Sequence, residues 1–166
     1  MKTFQFVLGM ILVAGLSGCA SPSTSDVGGR YSYSTAVDYS VLKSFVLLPV
    51  EGGTFSTPES TAHFRKVMVS GLSAKGFTEN PENPDFVIKT IPVASYREEY
   101  VSIHGGLLAF PKAMLRVTFV NPSSGVHIYE GAADAHFDAA WSQEDKNGII
   151  DAAVEVILKG FPPSKK

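Results

Sequence analysis

Reactive sulfur and excess charge of one sign are both scarce in this chain of 166 residues. Its only cysteine is Cys19, so the chain cannot form an internal disulfide or a zinc site of several cysteines. Basic and acidic residues nearly balance, at 14 against 16, and no basic run is longer than two residues, as at the terminal Lys165 and Lys166. The chain therefore lacks the positive field that captures nucleic acid, and we expect no nucleic-acid partner.

Familiar catalytic and phosphate-binding loops are missing as well. The sequence has no G-x-S-x-G turn, which would expose a serine nucleophile. Neither glycine-rich pattern of nucleotide-binding loops occurs, and Gly52-Gly53 and Gly105-Gly106 are interpreted as turns. We predict no catalytic residue and no cofactor.

The amino-terminal segment does carry a specific pattern. Lys2 precedes a short apolar run over residues 4–16, and the run ends in Leu16, Ser17, Gly18 and Cys19. An apolar run that falls short of roughly 20 residues is too short for a membrane span and has the flanks of a secretion signal. The closing four residues resemble the lipobox of bacterial lipoproteins, in which the cysteine thiol receives a diacylglyceryl group. The resemblance implies a signal peptide over residues 1–18 and lipidation at Cys19, with acyl chains such as palmitate.

This interpretation also predicts a polar tether after Cys19 and the cellular location of the protein. Residues 19–30 are mostly small and polar and are interrupted by Pro22, Gly28 and Gly29, so they are expected to form a flexible tether between the lipid and a single domain over residues 31–166. By resemblance to lipoprotein sorting, Ala20 and Ser21 lack the Asp that retains lipoproteins in the inner membrane. We therefore expect an outer-membrane protein that faces the periplasm.

The first half of the domain predicts a strand, a helix and a second strand. Residues 45–50 are nearly all apolar, as in a strand covered on both faces. Ser56 is the expected N-cap of a helix, with Glu59 completing a capping box and Gly76 ending it. One face of this helix is apolar: Phe64, Val67, Met68, Gly71 and Leu72. Residues 85–91 predict the next strand.

The second half predicts extended chain and a final helix. Leu115, Val117 and Phe119 alternate with Met114, Arg116, Thr118 and Val120, and the first set is expected to face a core. A turn over residues 121–125 then joins this strand to another over residues 126–137, as an antiparallel hairpin. Ser142 is the expected N-cap of the last helix, which ends at Gly160. The economical fold is α+β, a two-layer sandwich with a mixed, mostly antiparallel sheet and two helices on one face.

With these elements placed, three short blocks of sequence resemble the DUF4136 family of bacterial lipoproteins. They are 38–40 with 43–45, 84–88, and 161–163. A fourth block is a partial match: Gly125, Val126, Ile128, Tyr129 and Gly131. The resemblance covers residues 31–163 and implies an envelope lipoprotein with a mixed α/β domain. It implies no catalytic residues.

The best candidate for chemistry is the run that contains Asp134, His136 and Asp138. Alternate residues of a strand share a face, so these three side chains form a candidate metal or hydrolase face. The simpler interpretation is a polar outer face over buried Ala133 and Ala135, because three ligands on one straight strand do not converge. We therefore predict no metal site. His127 is remote from this group, and His63 is interpreted as a boundary histidine of the first helix.

A candidate partner surface lies between residues 96 and 110. It contains paired aromatics, mixed charges and an apolar run: Tyr96, Arg97, Tyr100, Leu108 and Phe110. Aromatic residues and Arg are enriched at interface hot spots, although burial beneath the helices also explains the apolar run. The leading hypothesis is a non-enzymatic, membrane-anchored domain that binds or scaffolds an envelope protein or a cell-wall partner. The alternative is an envelope hydrolase or metal-dependent enzyme acting through residues 134–138.

Overall fold

The computed structural model of the protein describes residues 27–50, 57–103, 106–136 and 140–162, and for residues 93–112 it describes the backbone alone. The elements follow in this order: β1 Gly28–Tyr33, β2 Ser44–Leu47, α1 Pro58–Ala74, β3 Thr78–Glu79, β4 Phe86–Ile103, β5 Gly106–Val120, β6 His127–His136 and α2 Gln143–Lys159. The segment that the sequence predicts as a signal peptide, residues 1–18, and Cys19 lie outside the described residues. No helix within the described ranges is long and apolar enough to cross a bilayer.

The strands form one six-stranded sheet in the order β1-β6-β5-β4-β2-β3. β2 runs parallel to β3 and β4, whereas β4-β5, β5-β6 and β1-β6 are antiparallel. The parallel pair β2-β4 is joined through α1, and the pair β5-β6 is the hairpin that the sequence predicts. The α+β class, the mixed sheet and the two helices are confirmed.

Both helices begin at hydroxyl caps, but one cap differs from the expectation. Ser142 Oγ accepts a hydrogen bond from the Asp145 N–H at 3.1 Å, as predicted. In α1 the N-cap is Thr57, whose Oγ1 accepts from the Ser60 N–H at 3.1 Å. The predicted cap at Ser56 is therefore wrong: capping by Thr57 puts Pro58 at the first helical position, where the missing N–H is not needed. Glu59 is then the second helical residue, so the predicted capping box is wrong as well. Gly76 has a φ of +89°, as expected of a residue that ends a helix.

The core is built around Phe161, which is fully buried just after α2. Its ring centroid lies 4.6 Å from that of Phe119, 5.1 Å from Tyr129 and 5.3 Å from Phe77. Phe86 also contacts it, with centroids 5.6 Å apart. Phe161 belongs to the block 161–163 that resembles the family, so four aromatic residues from earlier in the chain pack against this block.

A strand occupies the last residues of the segment that the sequence predicts as a tether. β1 begins at Gly28 and pairs with β6, with Gly29 opposite Ala133. A Cβ at Gly29 would lie 1.8 Å from Val156 Cγ1 of α2, so only glycine allows the helix to approach this closely. Gly28 and Gly29, which the sequence assigns to the tether, belong to an edge strand. Strands pair through backbone groups, so this pairing does not require apolar side chains.

A long hairpin replaces several shorter predicted strands. β4 and β5 pair from Val87 with Val120 to Ile103 with Gly106, with an irregularity between Ser95 and Glu99. The last described pair of this hairpin is Ile103 with Gly106, and Gly105 of the expected turn lies outside the described residues. β6 extends at least to His136, and residue 137, the expected end of this strand, is not described.

Candidate functional site

An open, apolar cavity of about 120 Å³ lies between the sheet and the amino-terminal halves of both helices. From α1, Ser60, Thr61 and Phe64 line it, and from α2, Lys146, Ile149, Ile150 and Ala153. The sheet contributes Pro92 of β4, Ala113, Met114 and Leu115 of β5, and Ala133 and Ala135 of β6. Val50, after β2, completes the described walls. Almost all of this lining is apolar.

The cavity exists because the core-facing side chains of β6 become smaller toward its end. Tyr129 is fully buried among the core aromatics, and its hydroxyl donates a hydrogen bond to the Ile157 carbonyl. At Gly131 the helix approaches so closely that a Cβ would lie 2.8 Å from Ile157 Cγ2. Beyond it, Ala133 and Ala135 face Ala153 across the layer and leave space between them. Because Ala133, Ala135 and Ala153 meet at the same level of the sandwich, a space remains there between the sheet and the helices.

The cavity wall has few polar groups, and one of them, the hydroxyl of Ser60, already forms hydrogen bonds within the protein. Ser60 Oγ accepts hydrogen bonds from Thr57 Oγ1 at 3.1 Å and from Gln143 Nε2 at 3.2 Å. This serine is buried and joins the beginnings of the two helices. It has no histidine partner among its described contacts, so it lacks the base that a serine nucleophile requires.

A contact between His63 of α1 and Asp151 of α2 joins the two helices. His63 Nε2 lies 2.6 Å from Asp151 Oδ1, and their side chains are 24% and 55% exposed. His63 is therefore half-buried at the junction of α1 and α2, which agrees with its interpretation as a boundary histidine. The Asp151 contact could not be found from the sequence because it joins residues that are far apart in the chain.

The candidate metal or hydrolase face lies on the opposite side of β6. Ala133 and Ala135 line the cavity, so the alternate residues Asp134 and His136 face away from the helices. Asp138 lies outside the described residues. Within the described ranges, no group of three or more His, Cys, Asp and Glu residues could hold a metal ion. The absence of a metal site in the whole protein stays a prediction.

The candidate partner surface falls on the outer part of the β4-β5 hairpin. The backbone of Tyr96, Arg97 and Tyr100 belongs to β4, and that of Leu108 and Phe110 to β5. Their side chains lie outside what the structure describes, so their role in docking stays a prediction. The hairpin continues directly from Pro92 and Ala113, so its base forms one wall of the cavity.

The cavity itself was missed in the sequence. The signal was present: Ala133, Ala135 and Ala153 occupy core-facing positions where larger side chains are common. Nothing in the local pattern says that these alanines lie opposite one another, because they belong to elements whose pairing depends on the whole fold.

Comparison with known proteins gives the family and the fold. The sequence profile of DUF4136, a domain of unknown function, matches residues 30–163. No curated protein matches the chain.

Several solved structures are similar in fold. A PDZ domain protein from Parabacteroides distasonis is 13% identical, with a TM-score of 0.59 over 83% of this chain and 36% of that chain, so this chain spans about a third of that protein. A PelC dodecamer from Paraburkholderia phytofirmans is 12% identical, with a TM-score of 0.55 over 84% of this chain and 99% of that one. A DUF4136 family protein from Bacteroides thetaiotaomicron is 9% identical, with a TM-score of 0.51 over 76% and 92%. At these identities the likeness shows a common fold.

Proposed function

The chain belongs to the DUF4136 family, a domain of unknown function, and from the surfaces of its own fold we propose that it is a lipid-anchored binding domain of the bacterial cell envelope. The cavity between the helices and the sheet is the binding site in this proposal. The lipid on Cys19 and the tether keep that site close to a membrane, with the outer membrane as the expected location.

The single observation that carries the proposal is the chemistry of the cavity wall. Ligand sites in proteins are concave and mostly apolar, with a few polar groups that orient the ligand. This wall has that composition, with Lys146 as the only charged side chain among its described residues. General acid-base catalysis needs titratable groups placed against the reacting atoms, and Asp134 and His136 face the other side of the sheet. Binding is therefore favoured over hydrolysis at this site.

Photo-crosslinking in intact cells tests the proposal. A photoreactive residue in place of Ile150, which lines the cavity, is expected to form an adduct with an envelope component. The matched control places the same residue at Lys159, which is exposed on the same helix and does not line the cavity. Filling the cavity with Ala153→Leu should abolish the adduct at position 150. Equal adducts at both positions, or an adduct that survives Ala153→Leu, would contradict the proposal.

A second candidate function is self-assembly into a scaffold. The PelC structure is described as a dodecamer, and its chain is covered almost completely by this fold. In this protein β1 is an edge strand whose residues are all exposed, with Tyr31 at 53% and Tyr33 at 38%. Exposed edges offer unpaired backbone groups to a second chain. Light scattering on the protein without its lipid tests this candidate, since a monomer at micromolar concentration would exclude stable self-assembly through β1.

A further inference from the structure

The outer part of the β4-β5 hairpin extends beyond the rest of the sheet. Among the described strands, β6 pairs with β5 only as far as Lys112, and β2 pairs with β4 only over residues 86–88. Past Lys112, the described parts of β4 and β5 therefore pair only with each other. We call residues 100–103 and 106–111 the hairpin tip.

The predicted tether meets the fold at the same end of the sheet. Gly28, the first residue of β1, lies in one row with residues of the three neighbouring strands: Asp134, Met114 and Val93. From this row β1 runs away from the hairpin tip, so the chain enters β1 from the side on which the hairpin extends. The tip and the connection to Cys19 therefore share one end of the fold.

The length of the hairpin can be compared with that of the tether. β5 reaches from Met114 to Gly106, eight residues further, which is roughly 26 Å at the rise of a strand. Gly28 follows Cys19 by nine residues, and a flexible chain of this length spans roughly 15–18 Å on average. A lipid on Cys19 thus holds Gly28 closer to the bilayer surface than the hairpin is long, by roughly 10 Å.

The sequence of the tip suits the surface of a bilayer. No Asp, Glu, Lys or Arg occurs between Glu99 and Lys112, and residues 107–110 are four consecutive apolar residues. Because successive residues of a strand alternate between its faces, this run gives apolar positions to both faces of the hairpin, whereas docking on a protein surface requires only one. Tyr96 and Tyr100 stand at the start of the uncharged stretch, and tyrosine is enriched at membrane–water interfaces.

We infer that the hairpin tip enters the interface of the same bilayer that holds the lipid on Cys19. This inference rests on the proposed lipid anchor and adds a second membrane contact, which orients the domain with its hairpin end toward the lipid. The tip stops in the headgroup region, because the open edges of its strands carry backbone groups that the hydrocarbon core cannot satisfy. Amphipathic helices at this boundary lie roughly 5–10 Å deep, which agrees with the excess length of the hairpin.

Fluorescence of the mature, acylated protein in vesicles of phosphatidylethanolamine and phosphatidylglycerol tests the inference. Acylation consumes the thiol of Cys19, so Leu108→Cys provides a single site for an environment-sensitive dye. Lipids with a nitroxide near the headgroup should quench this dye, and lipids with the nitroxide at the chain end should quench it less. The matched control is the dye at Ser123→Cys, exposed in the turn at the opposite end of the sheet, which should stay unquenched.

Two substitutions separate membrane entry from burial within the protein. Phe110→Asp places a charge in the tip and should abolish the quenching at position 108, whereas Phe110→Leu should preserve it. Because the tip pairs with no other described strand, both variants should melt at the temperature of the wild type. A large fall in the melting temperature of Phe110→Asp would place the tip in the core and overturn the inference.

The failure of this inference and the failure of the proposed anchor are distinguishable. If the dye at position 108 stays unquenched although mass spectrometry finds Cys19 acylated, the inference is wrong and the anchor stands. If vesicles leave the dye unquenched but a photoreactive residue at position 108 captures a protein in cells, the tip docks on a protein and the inference is again wrong. If Cys19 carries no lipid, the anchor and this inference are both overturned. The crosslink at position 150 tests the cavity separately.

Discussion

The carboxylate of Asp85 accepts two hydrogen bonds from Ser44 across the parallel strands β2 and β4. The Ser44 N–H donates to Asp85 Oδ2 at 2.8 Å, and Ser44 Oγ donates to the same oxygen at 2.9 Å. The Lys43 N–H also donates to Oδ2 at 2.8 Å. This contact joins two of the sequence blocks that resemble the family, residues 43–45 and 84–88. It fixes the register in which the parallel pair begins.

The first prediction concerns this contact. Asp85→Asn keeps the shape of the side chain but removes the negative charge, so we expect the free energy of unfolding at pH 7 to fall by about 1 kcal/mol, the low end for hydrogen bonds to a charged group at a partly exposed site. Chemical denaturation measures it. Glu82→Gln, a charge removal at an exposed position nearby, is the control and should change little.

The pH dependence of this effect has a definite sign. The hydrogen bond from the Lys43 N–H is the main cause that lowers the pKa of Asp85 below its usual 3.8, with Ser44 adding to it. Because the pKa of Asp85 is lower in the folded than in the unfolded protein, its ionised form stabilises the fold at pH values above the unfolded pKa. This stabilisation is lost as the pH falls through the folded pKa. The difference between wild type and Asp85→Asn should therefore shrink below pH 4. A difference that stays constant from pH 7 to pH 3 would show that the charge is not responsible.

The second prediction concerns the aromatic core. Phe161→Ala removes a fully buried ring that contacts Phe119, Tyr129 and Phe77, and such truncations lower the free energy of unfolding by about 3–5 kcal/mol. Phe161→Leu keeps most of the apolar volume and should lower it by less. Thermal and chemical denaturation measure both variants. Equal, small losses for the two would mean that Phe161 is not central to the core.

The third prediction is lipidation at Cys19. Cys19→Ala should block acylation and removal of the signal peptide by the lipoprotein route, because the thiol is the acceptor. Mass spectrometry of the mature wild-type protein should find an acylated amino-terminal cysteine. An unmodified Cys19 in that protein would refute the prediction.

The fourth prediction is the membrane in which the protein resides. Ala20 and Ser21 lack the retaining Asp, so fractionation of a Gram-negative cell should recover most of the protein with the outer membrane. Ala20→Asp should move it to the inner membrane, whereas Ala20→Ser should not. Recovery of the wild type with the inner membrane would contradict this prediction.

The fifth prediction concerns the β4-β5 hairpin. If its outer part is a docking surface, the paired change of Tyr100→Ala with Leu108→Ser should leave the melting temperature nearly unchanged while crosslinks in cells disappear. A loss of several kcal/mol of stability, as truncation of buried side chains causes, would instead place these residues in the core.

Most of the secondary structure could be predicted from the sequence because its signals are local. The apolar face of α1, the Ser142 cap and the alternation of Leu115, Val117 and Phe119 each depend on neighbouring residues. The errors arose where a local signal had two meanings. Ser56 and Thr57 are both good caps, and Gly28-Gly29 suits a tether as well as an edge strand under Val156.

The sequence by itself determined the order of β2, α1, β4, β5, β6 and α2, which strand residues alternate between the two faces of the sheet, and a lipobox that predicts the anchor at Cys19. Only the tertiary structure decided that Phe161 enters the core beside Phe119 and that Ala133, Ala135 and Ala153 lie opposite one another around a cavity. The physical reason is that a cavity is the space left between layers, and its size depends on pairs of side chains that meet only after the helices have packed on the sheet.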